Sequence, residues 1–120
     1  MSAQRLHIVP SRFAVEHFPE ATFPEDDEWI ALVRAPEGLT VVRDAPSWAE
    51  GESWIGLYGD PAKHGRETGM PAAIVGPLAE AGIPVFVTST YHADLVLVPE
   101  HRLAEATATL REAGHRIDER

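Results

Sequence analysis

Two short segments carry the groups best suited to bind a ligand. Residues 65–71 bring glycines to the start of a predicted helix, where unpaired N–H groups and the helix dipole favour a carboxylate or a phosphate. Residues 89–94, with the sequence STYHAD, gather hydroxyl groups, an aromatic ring and one acid between two strong predicted strands. The predicted helix between the two segments is short, and the strand after it returns beside the strand before it. We therefore expect the two segments to lie close together. The alternative is that neither segment binds a ligand, so that the first is a loop that caps a helix and the second contains a solvated acid.

Patterns for catalysis and metal binding are missing from the sequence. The chain has no cysteine, which excludes disulfides, thiolate metal sites and cysteine nucleophiles. Its six histidines form neither an i, i+4 pair nor an HExxH pattern. They are His7, His17, His64, His92, His101 and His115. No G-x-S-x-G elbow or Walker loop occurs, and the sequence supplies no base for Ser89. We therefore expect no catalytic residue, no metal and no cofactor.

The charge balance restricts the partners. The chain has 10 Lys and Arg against 19 Asp and Glu, a net charge of −9. Nucleic acids and anionic membranes both need a positive surface, so neither is an expected partner. The sequence has no apolar run long enough to span a membrane, and its N-terminus lacks the apolar stretch of a signal peptide. We expect a cytoplasmic protein with a small-molecule partner.

The predicted elements from residue 53 onward follow the order β-α-β-β-α-β. They are strand 53–58, helix 71–81, strands 83–88 and 95–98, helix 99–113 and strand 116–117. A proline opens each helix and a glycine follows each one, as the asymmetry of helix ends favours. Pro77 lies inside the first helix and is expected to kink it. This order is the split βαβ arrangement of a ferredoxin-like α+β fold, with two helices on one face of an antiparallel sheet.

The first half of the chain predicts only β-α-β-β. A short strand at 6–10 and a short helix within 11–18 precede a hairpin of strands 29–33 and 39–43. A weak internal repeat supports duplication. At both 28–37 and 94–100 an acid precedes an apolar strand that ends in Pro-Glu. We therefore divide the chain into an incomplete unit at residues 1–50 and a complete βαββαβ unit at residues 51–120.

Residues 69–100 resemble a known family. Their sequence, GMPAAIVGPLAEAGIPVFVTSTYHADLVLVPE, is similar to the ACT-like domains of the CASTOR type, with a glycine at a helix start, P-L-A-E-A-G-I, a strand, S-T-Y-x-x-D and a second strand. Residues 28–38, EWIALVRAPEG, resemble the first-half strand of the same family. The resemblance implies a tandem repeat of two ferredoxin-like ACT units, like that of small bacterial members that form homodimers. The vertebrate relatives look like two such modules fused, and they sense arginine.

The resemblance also implies a ligand site at a junction between ACT units. Gly69 and Met70 match the helix-start contacts of the family, and Thr90, Tyr91 and Asp94 match its polar-corner contacts. The chain departs from the arginine sensors just before the acid, where it has an alanine in place of a hydroxyl-bearing residue. Binding of an amino acid is therefore implied, and its identity is left open.

Three functions are compatible with these observations. The first is a regulatory module without catalytic activity that binds an amino acid, forms a homodimer and acts on a regulated protein partner. The second is a dimerisation or protein-interaction scaffold that has kept the fold and lost the ligand. The third is an enzyme, which needs a paired base and nucleophile that the sequence does not show. The homodimer also follows from the incomplete first half, whose strand edges need cover.

Overall fold

The computed structural model describes residues 4–19, 29–45, 51–59, 70–90 and 93–118. Within these residues, seven strands form one sheet, accompanied by two α-helices and a short 3-10 turn. In chain order the elements are β1 (Arg5–Phe18), β2 (Trp29–Ala35), β3 (Gly38–Asp44), β4 (Trp54–Gly59), α1 (Met70–Glu80), β5 (Phe86–Ser89), β6 (Asp94–Pro99), the 3-10 turn (Glu100–Arg102), α2 (Leu103–Glu112) and β7 (Arg116–Asp118).

The β-α-β-β-α-β order predicted for the second half is confirmed, as β4-α1-β5-β6-α2-β7. β6 lies between β4 and β5 and pairs antiparallel with both, so that Gly56 and Phe86 both lie opposite Leu97. All six residues of β6 are buried. Its continuous apolar run suits a strand that is covered on both faces.

The position of β7 corrects the prediction of a self-contained βαββαβ unit. β7 pairs in parallel with the N-terminal part of β1, with Leu6 opposite Ile117, and β1 in turn pairs antiparallel with β4. A strand from the first half of the chain therefore lies between the first and last strands of the second. The physical reason is the apolar start of β1, because Leu6 and Ile117 are buried in the same core cluster.

The prediction of a helix within residues 11–18 is also wrong, because these residues belong to β1. The segment is a strand that pairs antiparallel with β3, from Phe13 opposite Asp44 to Phe18 opposite Leu39. Phe13 and Val15 both contact one core cluster, which is the period of two expected for a strand. A single helical turn is costly to nucleate, so this non-local pairing prevails over the local signals of a cap. The described part of residues 1–50 thus contains three strands and no helix. The division of the chain at residue 50 stays a prediction.

An irregularity in β1 allows it to change partners. Ile8 lies opposite Leu57 and Arg12 lies opposite Ile55, so the segment between them on β1 is longer than the segment between them on β4. Pro10 lies within this bulge, where its missing N–H breaks no regular pairing. On its other edge β1 pairs with β7 before the bulge and with β3 after it.

Glycine is required at two close approaches in the sheet. A Cβ atom on Gly56 of β4 would lie 2.9 Å from Leu95 Cδ1 and 3.1 Å from the Phe13 ring. Gly38 begins β3 with a φ of +136°, and a Cβ there would lie 2.5 Å from the Phe18 carbonyl oxygen. The second position closes the hairpin of β2 and β3, which confirms the hairpin predicted from residues 29–43.

Each face of the sheet has its own core cluster. Both helices pack on one face, which confirms the prediction of a single helical layer. The cluster on this face consists of Leu6, Leu57, Ile74, Leu78, Ile83, Val96, Val98, Ala106, Leu110 and Ile117. The cluster on the opposite face consists of Phe13, Val42, Trp54, Leu95 and Leu97. The second cluster joins β3 to β6, three places apart in the order β2-β3-β1-β4-β6-β5. The sheet must therefore curl strongly towards that face.

α1 continues through the proline that was expected to kink it. Pro77 has no N–H to donate to the carbonyl oxygen of Ala73, four residues earlier. The His115 ring supplies the missing donor, because its Nε2 lies 2.9 Å from that oxygen. The other ring nitrogen, Nδ1, accepts the Gln4 N–H at 3.1 Å, which fixes the proton on Nε2. A buried histidine thus ties α1 to the start of β1.

Candidate functional site

The sheet forms a polar corner where β4 and β5 end and β6 begins. Antiparallel pairing brings Ser89 opposite Asp94, and Tyr58 opposite Leu95. An ideal Cβ on Gly59 would lie 4.0 Å from the Asp94 carbonyl oxygen. The last residues of two strands and the first residue of a third therefore meet at one end of the sheet. We call this region the β5–β6 corner.

Asp94 is the acid of this corner, and it is buried. Its residue is 8% exposed, and its Oδ1 accepts a hydrogen bond of 2.8 Å from the Ser89 hydroxyl. Its burial corrects the alternative interpretation of a solvated acid. A carboxylate removed from water needs hydrogen-bond donors, and Ser89 is one of those that Asp94 has.

Thr90 closes the hairpin between β5 and β6. Its N–H donates to the Ala93 carbonyl oxygen at 2.7 Å, and its hydroxyl oxygen accepts the Ala93 N–H at 2.9 Å. The Tyr58 hydroxyl lies 3.4 Å from the same Thr90 oxygen. The Thr90 hydroxyl therefore has a structural role at the corner. Thr90 itself is exposed to solvent.

The described structure brings two of the five predicted ligand residues together. Thr90 directly follows Ser89, and Asp94 lies opposite Ser89 in the pairing of β5 with β6. The hydrogen bond from Ser89 to Asp94 therefore brings Thr90 and Asp94 near each other. Met70 is the first residue of α1, and its side chain is outside the described residues. Gly69 and Tyr91 lie outside them altogether. Binding of a ligand by these five residues stays a prediction.

Sequence reasoning missed two contributors to the corner. Ser89 lies in the STYHAD segment but was not predicted to act in the site, although a hydroxyl five residues before a buried acid is in reach across a tight hairpin. Tyr58 comes from β4, which pairs with β6 and not with β5. Its proximity to Thr90 is a consequence of strand order, for which the sequence of β4 carries no signal.

The described part of the corner presents one buried acid beside a hydroxyl donor. The Ser89 hydroxyl donates to the buried carboxylate, an arrangement that holds the acid in position. In the part of the chain that the structure describes, no group of three or more His, Asp or Glu side chains is placed to hold a metal ion. Neither described helix has the length and apolar character needed to cross a membrane.

Comparisons with known proteins identify the family. The model of the ACT domain family matches residues 50–112, more than half of the chain. The crystal structure of protein Atu0741 from Agobacterium tumefaciens is similar with a TM-score of 0.84 and 21% identity, over 100% of this chain and 96% of that one. The structure of VC0802 from Vibrio cholerae is similar with a TM-score of 0.67 and 23% identity, over 86% of this chain and 83% of that one.

At these identities the two structures show a shared fold. A search of curated proteins gave no match. The family model covers β4, both helices, β5 and β6, and therefore the whole β5–β6 corner. ACT domains are typically regulatory modules that bind small ligands. From the match over residues 50–112, together with the β-α-β-β-α order of the elements in that range, the chain belongs to the ACT domain family.

Proposed function

We propose that the protein is a regulatory module that binds a free amino acid and has no catalytic activity of its own. The observation that carries the proposal is the match to the ACT domain family over residues 50–112, a range that includes the β5–β6 corner and the start of α1. Within this family we assign the chain to the CASTOR type, on the sequence pattern of residues 69–100. A regulated protein partner would then respond to the bound state.

The two charges of an amino acid suit two groups of the chain. Asp94 provides a carboxylate, where the ligand ammonium would join the Ser89 hydroxyl as a donor. The first turn of α1 contains no acidic residue, so its N-terminal N–H groups have no internal anion in that turn. We propose that the ligand carboxylate lies at this helix start, in contact with Gly69 and Met70.

The remaining contacts give the ligand its orientation. Tyr91 would pack against the aliphatic part of the ligand, and Thr90 would add a hydrogen bond. The Thr90 hydroxyl is already held between Ala93 and Tyr58, so it would meet the ligand in a fixed position. Such preorganisation lowers the entropy lost on binding.

Titration calorimetry of the Asp94→Asn variant tests the proposal. Asparagine keeps the size of the side chain and can still accept the Ser89 hydrogen bond, so the fold should persist. A charge-assisted hydrogen bond is worth about 1.5–3 kcal/mol, so binding of the preferred amino acid should weaken about ten- to a hundredfold. Asp44→Asn, an exposed acid at the end of β3, is the matched control and should leave binding unchanged. Equal affinities for all three proteins would place the ligand elsewhere.

A homodimer is the proposed working unit. β2 and β5 are the two ends of the strand order, and each exposes apolar side chains. These are Ile30 and Val33 on β2, and Phe86 and Val87 on β5. An apolar edge strand is a template for pairing with a second copy. Sedimentation should show a dimer at micromolar concentration, weakened by Val33→Lys or by Val87→Lys. A stable wild-type monomer would contradict the proposal.

The same exposed edges favour a second candidate, a dimerisation scaffold that binds no ligand. This alternative shares the dimer and differs in the calorimetric result. If the intact dimer binds none of the twenty amino acids, the scaffold replaces the sensor as the better account.

A further inference from the structure

A cavity lies between β1 and α2, away from the β5–β6 corner. Its volume is about 590 Å³, within the range of small-molecule sites. Ile8 and Pro10 of β1 form one wall, and Leu103, Ala104 and Ala108 of α2 form the other. We call it the β1–α2 groove.

The groove exists because of the bulge in β1. On the edge of β1 that carries β7 and β3, pairing with β7 covers Arg5 to His7 and pairing with β3 starts at Phe13. Ile8 and Pro10, which lie between these two stretches, border the groove. On the opposite wall, α2 presents alanine at two successive turns, Ala104 and Ala108, where longer side chains would fill the space. α2 is a helix, and Ile8 is paired with Leu57 of β4, so the fold holds these parts of the two walls in place.

One cation lines this apolar groove. Arg111, on the last turn of α2, donates from Nη2 to the Ile117 carbonyl oxygen at 2.8 Å, which anchors one corner of the guanidinium. Within the described residues it contacts no carboxylate, whereas Arg5 and Arg102 pair with Asp118 and Glu105 at 2.6 and 2.9 Å. A guanidinium has five N–H donors, so the anchor leaves donors for an anion.

We propose that the β1–α2 groove binds an aliphatic monocarboxylate, an acid with one carboxylate and a flexible apolar chain. The carboxylate pairs with Arg111, beside the Thr107 hydroxyl, and the chain lies along Ile8, Leu103 and the two alanines. Among the residues that the structure describes, the lining consists of aliphatic side chains, the Thr107 hydroxyl and one cation, with no acid that would receive an ammonium group. Its ligand class is therefore different from that of the amino-acid site, and the two sites share no residue.

The probe for this proposal is decanoate, compared with octanoate, hexanoate and uncharged decanol, in calorimetry and in NMR of the full chain. Each methylene that becomes buried should strengthen binding about fourfold, so affinity should rise along the acid series. Arg111→Gln keeps a donor for the Ile117 carbonyl oxygen and removes the charge, and should weaken decanoate binding at least tenfold without changing the affinity for decanol. NMR shifts should centre on Ile8, Leu103 and Thr107.

A filling variant provides an independent test. Ala108 is exposed, so Ala108→Leu should block decanoate while the protein stays folded, and Ala79→Leu on the exposed side of α1 is the matched control that should bind normally. Absence of binding to the wild type, equal affinity for decanol and decanoate, or normal binding by Ala108→Leu would each overturn the proposal. So would groove shifts that depend on protein concentration without decanoate, because a second copy would then occupy the groove. Amino-acid binding at the β5–β6 corner is measured in a separate experiment. A negative result for decanoate therefore leaves the amino-acid proposal intact, and the reverse also holds.

Discussion

Replacement of His115 by alanine tests whether this residue repairs the defect that Pro77 creates in α1. His115 is 7% exposed, and its ring accepts the Gln4 N–H while it donates to the Ala73 carbonyl oxygen. The variant leaves two backbone groups without these partners and removes a buried ring. An unpaired buried polar group costs about 1–3 kcal/mol, so we expect a total loss of roughly 3 kcal/mol in the free energy of unfolding.

A double-mutant cycle with Pro77→Ala isolates the part that belongs to the helix. Alanine at position 77 restores an N–H that can bond the Ala73 carbonyl oxygen within α1. In that background His115→Ala should cost about 1–2 kcal/mol less than in the wild type, since one of its two partners no longer depends on it. The loss at Gln4 should persist in both backgrounds.

Urea unfolding of the four proteins at one pH measures the cycle. The slopes with denaturant should agree, so that the midpoints report stability alone. His101→Ala is the control, because His101 is 69% exposed and lies 3.7 Å from Glu52, a surface contact worth about 0.5 kcal/mol or less. A coupling between Pro77 and His115 that is zero within about 0.3 kcal/mol would refute the reasoning.

Two further perturbations follow from the packing and the charges. Gly56→Ala should destabilise the protein by about 1–3 kcal/mol in urea unfolding, because its Cβ would meet Leu95 and Phe13. In α1, a Cβ on Gly76 would meet no described residue outside its own helix within 4 Å, so Gly76→Ala should stabilise the protein by up to about 1 kcal/mol. The reverse order would contradict the packing at β4. The hydrogen bond from Arg5 holds the pKa of Asp118 below its ordinary value, so this pair stabilises the fold at neutral pH and its contribution is lost as the pH falls through the lowered pKa. In Arg5→Gln the NMR titration midpoint of Asp118 should rise, and an unchanged midpoint would show that another group causes the shift.

Much of the fold follows from local patterns in the sequence. The order of elements after residue 53 was predictable because β4 and β6 are strong apolar runs and each helix has proline at its start and glycine after its end. The hairpin of β2 and β3 was predictable from the Pro-Glu-Gly turn between two β-forming runs. These signals are local, and they determine which elements form but not which elements become neighbours.

The features that escaped prediction depend on contacts between distant residues. Residues 11–18 have helix-compatible types, and only β3 as a partner makes them a strand. β7 is three residues long and carries little pattern, so its pairing with β1 is set by the burial of Leu6 and Ile117. Asp94 is buried because β4 and β5 lie on either side of β6, and the residues around Asp94 in the sequence do not predict that arrangement. The relation of Pro77 to His115 likewise appears only when the turn between α2 and β7 lies against α1.

A thermal-shift screen of the twenty free amino acids, on the wild type and on Asp94→Asn, tests the central claim most directly. A ligand present at a hundred times its dissociation constant stabilises the folded state by about 2.7 kcal/mol, which for a chain of this length raises the midpoint by roughly 10 °C. We predict that at least one amino acid produces such a shift in the wild type and that Asp94→Asn reduces it strongly. If no amino acid changes the wild-type midpoint at millimolar concentration, the protein is not an amino-acid sensor.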